Sequence, residues 1–74
     1  MGGKKVKITL KTEFIKLDQL LKHAAVASTG GEAKAMIQEG MVLLNGEVVT
    51  QRGKKIYPGD RLTIGKEEIE VVNP

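Results

Sequence analysis

Residues 29–46 read TGGEAKAMIQEGMVLLNG, and this stretch decides how the rest of the chain is arranged. Thr29 and Glu32 have the spacing of a capping box: the threonine hydroxyl accepts from the Glu32 N–H, and the carboxylate reaches back to the Thr29 N–H. Ala33, Met36 and Ile37 follow at helical spacing as a buried stripe, and Gly40 supplies a left-handed stop. Residues 41–44 read as a strand and residues 47–50 as its return. Asn45-Gly46 between them fits a two-residue turn whose central residues both take positive φ. A helix of roughly ten residues is marginal in isolation. It therefore requires a second helix and a sheet to pack on.

Both requirements are met nearby. Upstream, residues 5–10 alternate, with Val6, Ile8 and Leu10 on one side and Lys5, Lys7 and Thr9 on the other, as in a half-buried strand with a basic outer face. From Leu17 the period changes to that of a helix carrying Leu20, Leu21 and Ala24. Asp18 stands in its first turn and Lys22 four residues later, a spacing that suits the helix dipole and an ion pair. Residues 26–28 read as a short connection. Downstream, Tyr57-Pro58-Gly59-Asp60 fits a type II turn, because proline fixes φ and glycine supplies the positive φ after it. Leu62 and Ile64 alternate with Arg61 and Thr63; after a turn at residues 65–67, Ile69 and Val71 alternate with Glu68 and Glu70. The order predicts an α+β fold: two short helices packed on a small antiparallel sheet of about four or five strands. With no internal repeat or linker, residues 1–74 read as a single domain.

Seventy-four residues lie near the lower limit for independent folding. Such a chain buries only about 60% of its unfolded surface and gains ~3–5 kcal/mol from one core. Hydrophobic residues at 41% and charged residues at 28% place it among globular rather than disordered chains. Phe14 and Tyr57 are its aromatics, so the core is expected to be aliphatic. The absence of cysteine excludes disulfides and thiolate metal sites. No run approaches the ~18 apolar residues of a membrane span, and the first ten residues lack the apolar centre of a secretory signal. The expectation is a cytoplasmic protein.

The net charge of +3 is modest, and its distribution is more informative. Residues 1–38 carry Lys4, Lys5, Lys7, Lys11, Lys16, Lys22 and Lys34 against Glu13, Asp18 and Glu32. Arg52, Lys54 and Lys55 form a second basic knot, while Glu67, Glu68 and Glu70 gather near the end. A two-faced layout of this kind orients a polyanion, although plain solubility explains the charge equally well. Convergent catalytic groups are missing. His23 is the one histidine, at a helix end; Ser28 lacks a nucleophile elbow; Gly30-Gly31 is not followed by Gly-Lys-Ser/Thr and is no P-loop. The expectation is no enzyme, no metal, no cofactor and no small-molecule substrate.

The spaced set Leu17-Asp18-x-Leu20-Leu21, Thr29-x-x-Glu32-Ala33-Lys34-x-x-Ile37-x-x-Gly40-x-Val42-x-x-Asn45-Gly46 and Pro58-Gly59-Asp60-x-Leu62-x-Ile64 resembles the S4 domain, named after ribosomal small-subunit protein four. The likeness is greatest to the small stand-alone bacterial members and covers roughly residues 14–65. It implies an αL RNA-binding motif that takes structured ribosomal or transfer RNA, with a ribosomal particle as a further partner. It also implies that the second helix and the loop before it face the RNA. Lys16 stands where the family usually has arginine before Leu-Asp, and Lys34 takes the basic place after Glu-Ala. Gly30 departs from the pattern: many members carry there an arginine that contacts RNA, so the contacts are expected to be redistributed.

Beside that resemblance, the residues themselves suggest a surface. Lys34 and Gln38 lie one helical turn apart, Lys16 and Lys22 extend the patch from the first helix, and Arg52, Lys54 and Lys55 clamp phosphates from a loop. Thr29, Gly30 and Gly31 open a helix whose uncovered N–H groups suit a phosphate, against which the Glu32 carboxylate competes. Close helix packing or a tight entry to the helix is the alternative role for the two glycines. The scarcity of aromatics points away from base stacking. Two rival functions share features of the chain. A β-grasp sulfur carrier has a similar hairpin but needs a terminal Gly-Gly where this sequence ends Val72-Asn73-Pro74. A protein–protein adaptor would present the same basic face to an acidic partner.

Overall fold

The computed structural model describes residues 3–74; Met1 and Gly2 lie outside that range. In chain order the elements are β1 (Lys5–Thr9), β2 (Ile15–Lys16), α1 (Leu17–His23), α2 (Gly30–Gln38), β3 (Val42–Leu44), β4 (Glu47–Val48), β5 (Lys55–Ile56), β6 (Arg61–Ile64) and β7 (Glu67–Val72). Five strands form a sheet in the order β1-β7-β6-β3-β4, and β2 pairs with β5 in a separate two-stranded ribbon. The α+β class, the two helices and the five-strand sheet agree with the sequence reading. The sheet is mixed rather than wholly antiparallel, since β1 runs parallel to β7, from Lys5 opposite Glu68 to Thr9 opposite Val72. Alternation along a strand determines which face is buried, but leaves partner and direction open.

Both helices cover one face of this sheet. Leu17, Leu20 and Leu21 of α1 and Ala33 and Ile37 of α2 are fully buried, together with Val42, Leu62, Ile69 and Val71 from the strands. Ile56 is equally buried and fastens the small ribbon to the same core. The opposite face meets water and is charged. Lys5 lies opposite Glu68 and Lys7 opposite Glu70, while Arg61 is opposite Glu70 on the other side and its Nε stands 3.5 Å from Glu68 Oε1. Lys5 and Lys7 thereby stand in register with acids from the far end of the chain.

The helix ends show which local signals were visible. At the end of α2 the Met41 N–H donates to the Met36 carbonyl and the Gly40 N–H to the Ile37 carbonyl, both at 3.1 Å, with Gly40 at φ +75°. This is the expected glycine stop in its Schellman form. Helix α1 ends the same way, with Val26 N–H on the Leu21 carbonyl at 2.9 Å and Ala25 N–H on the Lys22 carbonyl at 3.0 Å. Its left-handed residue is Ala25, at φ +61°, so no glycine announced it. Thr29 Oγ1 accepts from the Glu32 N–H at 3.1 Å, which forms the threonine half of the capping box. Asp18 accepts from the Gln19 N–H at 2.8 Å instead of pairing with Lys22, and Arg61–Glu68 is the one ion pair among the described residues.

The two stops predict opposite responses. Ala25→Gly should raise stability by about 1 kcal/mol by relieving the left-handed alanine, and Gly40→Ala should lower it by about 1–2 kcal/mol. A Cβ at Gly40 meets Val48 Cγ1 at an ordinary 3.7 Å, so that cost is conformational. Urea midpoints at constant slope check both.

Candidate nucleic-acid interface

A helix start leaves N–H groups without intrahelical partners, and Lys16 before α1 has no side chain that can accept from them. Backbone carbonyls from a distant loop take that role. Leu17 N–H donates to the Lys54 carbonyl at 2.9 Å and Asp18 N–H to the Arg52 carbonyl at 3.1 Å. The ribbon continues the join, with Ile15 opposite Ile56 and Lys16 directly opposite Lys55. Since Ile56 points into the core, its neighbours Lys55 and Tyr57 point outward. Lys16, Arg52, Lys54 and Lys55 thus gather at one end of the molecule, all exposed, although 35 or more positions separate the first from the rest. Like charges placed opposite each other across a ribbon destabilise it. Lys55 offsets part of that cost by standing with its Nζ 4.8 Å above the Phe14 ring.

The remaining sequence-predicted residues are exposed too, but on the helices. Lys34 and Gln38 lie on α2 and Lys22 in the last turn of α1, and no hydrogen bond or ion pair joins them to the ribbon group among the described residues. The Thr29 hydroxyl is engaged as a cap. A Cβ at Gly30 would meet nothing within 4 Å, and one at Gly31 only Thr29 Oγ1 at 3.9 Å. That overturns the close-packing role for these glycines, for neither is required by a neighbour. Their N–H groups open toward solvent at the start of α2, with Glu32 beside them.

Three features escaped the sequence reading. Strand β2 carries no signal in the sequence, and Lys55 of β5 lies in a strand where the sequence suggests a loop. Phe14 and Tyr57 lie together on the ribbon, ring centroids 6.0 Å apart and planes at 48°, with Tyr57 43% exposed. The third is a polar clasp between two turns that had been read separately. Asn45 Nδ2 donates to Asp60 Oδ1 at 3.2 Å, Arg61 N–H donates to Asn45 Oδ1 at 3.1 Å, and Tyr57 N–H donates to Asp60 Oδ2 at 2.8 Å. Each turn was legible, but only the pairing of Leu44 with Leu62 brings them side by side.

Comparison with known proteins places this geometry in context. A family model described as S4 domain matches residues 8–72, which takes in the end of β1 and all of β7 beyond the stretch that carried the resemblance. The chain is 45% identical over 67 residues to a Bacillus subtilis (strain 168) protein named "Probable ribosome maturation protein RlbA", across 89% of this chain and 94% of that one. It is 36% identical over 59 residues to "Ribosomal large subunit pseudouridine synthase B" of the same organism, which covers 80% of this chain and 24% of the synthase.

The clasp can be tested directly. Asn45→Ala removes both side-chain bonds and leaves an alanine at φ +50°, and it should lower stability by about 1–2 kcal/mol in urea denaturation. Asn45→Gly, which keeps the backbone free of strain, should lose less.

Proposed function

Because the chain belongs to the S4 domain family, we propose that it binds structured RNA, ribosomal or transfer RNA, without catalysing a reaction on it. The observation that carries this reading is the ribbon on which Lys16 faces Lys55, with Arg52 and Lys54 drawn beside them by hydrogen bonds to α1. Four cations held at one end, none of them in an ion pair among the described residues, make a site whose repulsion a phosphate backbone relieves. A-form RNA presents its phosphates and 2′-hydroxyls across a wide, shallow groove, a shape that such an end can straddle. Lys34, Gln38 and the open N–H groups of Gly30 and Gly31 would extend the contact along α2, and Lys22 along α1.

The likeness to the ribosome maturation relative runs nearly the whole length of both chains, which favours a ribosomal particle as the setting and the cytoplasm as the compartment. No helix among the described residues is long and apolar enough to cross a membrane. In this reading residues 1–74 act as a single RNA-binding domain that needs neither cofactor nor small-molecule substrate.

Binding to a ribosomal RNA fragment, measured against salt concentration, tests the site. Lys55→Ala and Lys34→Ala should each weaken binding several-fold and reduce the log–log salt slope by roughly one. Lys7→Ala, on the acid-matched sheet face, should leave the slope unchanged. If the first two also leave it unchanged, the surface is elsewhere. Gly30→Arg should fold, since the space there is open, and should bind more tightly with a slope steeper by roughly one. Co-sedimentation with ribosomal particles that persists after nuclease treatment would favour a protein partner instead.

A further inference from the structure

Large aromatic side chains contribute most when buried, yet the core of this protein is wholly aliphatic. The chain has one phenylalanine, one tyrosine and no tryptophan. The fold brings both aromatics to the same place, on the ribbon and beside the unmatched cations. Phe14 is half-buried and carries the Lys55 ammonium above its ring, whereas Tyr57 leaves 43% of its surface open. Tyr57 is also held firmly. Ile56 before it is anchored in the core, the Tyr57 N–H donates to Asp60 Oδ2 at 2.8 Å, and the Tyr57 carbonyl accepts from the Asp60 N–H at 3.0 Å. A flat ring on a stiff backbone, beside the facing pair Lys16 and Lys55, loses little freedom on meeting a ligand.

We propose that Tyr57, backed by Phe14, is a stacking platform for one unpaired RNA base, so that the preferred RNA is a stem carrying an extruded nucleotide beside the phosphates held by the ribbon. This rests on the RNA-binding reading above and adds a recognition element to it. It also departs from the expectation that the scarcity of aromatics points away from base stacking. Phosphate contacts alone do not distinguish a fully paired stem from one with a bulge. A base freed from its stack can lie on an aromatic face, and such a contact tightens binding about tenfold.

Two RNA probes test the proposal: a short, fully paired hairpin, and the same hairpin with a single bulged 2-aminopurine. The wild-type protein should bind the bulged probe about tenfold more tightly and quench its fluorescence on binding. Tyr57→Leu keeps the apolar contact with Phe14 but lacks a flat face. It should lose both the preference and the quenching while holding the paired hairpin with unchanged affinity and salt slope. Tyr57→Phe should keep both. Equal wild-type binding to the two probes, or a Tyr57→Leu protein that still prefers and quenches the bulge, overturns the platform and leaves the RNA reading intact. Failure of the wild type to bind either hairpin at low salt overturns the RNA reading, and the platform with it. The quenching is read on the wild type, so it decides the matter even if a variant does not fold.

Discussion

The basic end of this molecule depends on how the first N–H groups of helix α1 are satisfied. A helix start enclosed by protein needs acceptors, and the residue before α1 is a lysine, which has none to offer. The carbonyls of Arg52 and Lys54 supply them. Because those carbonyls turn inward to the helix, the loop is tied down as a backbone, and its side chains are left in water. The adjoining pairing of Ile15 with Ile56, the latter fully buried, seals the join from beneath. One backbone requirement therefore anchors the ribbon, positions the loop and gathers four cations that the chain order keeps apart.

Two charged surfaces result, with different character. On the open face of the sheet, two lysines and an arginine stand in register with two glutamates, so each charge has a neighbour of opposite sign. On the ribbon, Lys16 and Lys55 oppose each other with only an aromatic ring as partner for one of them. Exposed pairs of the first kind contribute little to stability, and like pairs of the second kind subtract from it. A small domain with a thin stability margin retains such a pair at some cost. Contact with a polyanion turns that cost into binding energy, and this is the link from the packing of α1 to the proposed function.

The motif residues divide in a similar way between holding the fold and facing outward. Asn45, Gly46, Pro58, Gly59 and Asp60 are the most recognisable residues of the chain, and the structure gives them architectural tasks: two turns and the clasp that joins them. Thr29 caps α2, and Gly40 ends it. The outward-facing set is less conspicuous, consisting of lysines, an arginine and one tyrosine. The clasp connects the two sets, since the carboxylate that holds Asn45 also holds the Tyr57 backbone.

Sequence by itself determined the elements whose signals are local. The capping threonine, the aliphatic periodicities of both helices, the Asn-Gly hairpin, the Pro-Gly turn and the alternation of β1, β6 and β7 were all legible, because each depends on residues within a turn or two of one another. Tertiary structure alone decided the rest. Strands β2 and β5, at two residues each, are too short to show a period, and Ala25 adopts its left-handed angle because the packed chain requires it. The parallel pairing of β1 with β7, the clasp, and the meeting of Lys16 with Lys55 and of Phe14 with Tyr57 join residues far apart in the chain. The physical reason is one of range: capping, turn geometry and periodicity act over a few residues, whereas partner choice is settled only when distant segments bury their apolar sides together in a single core.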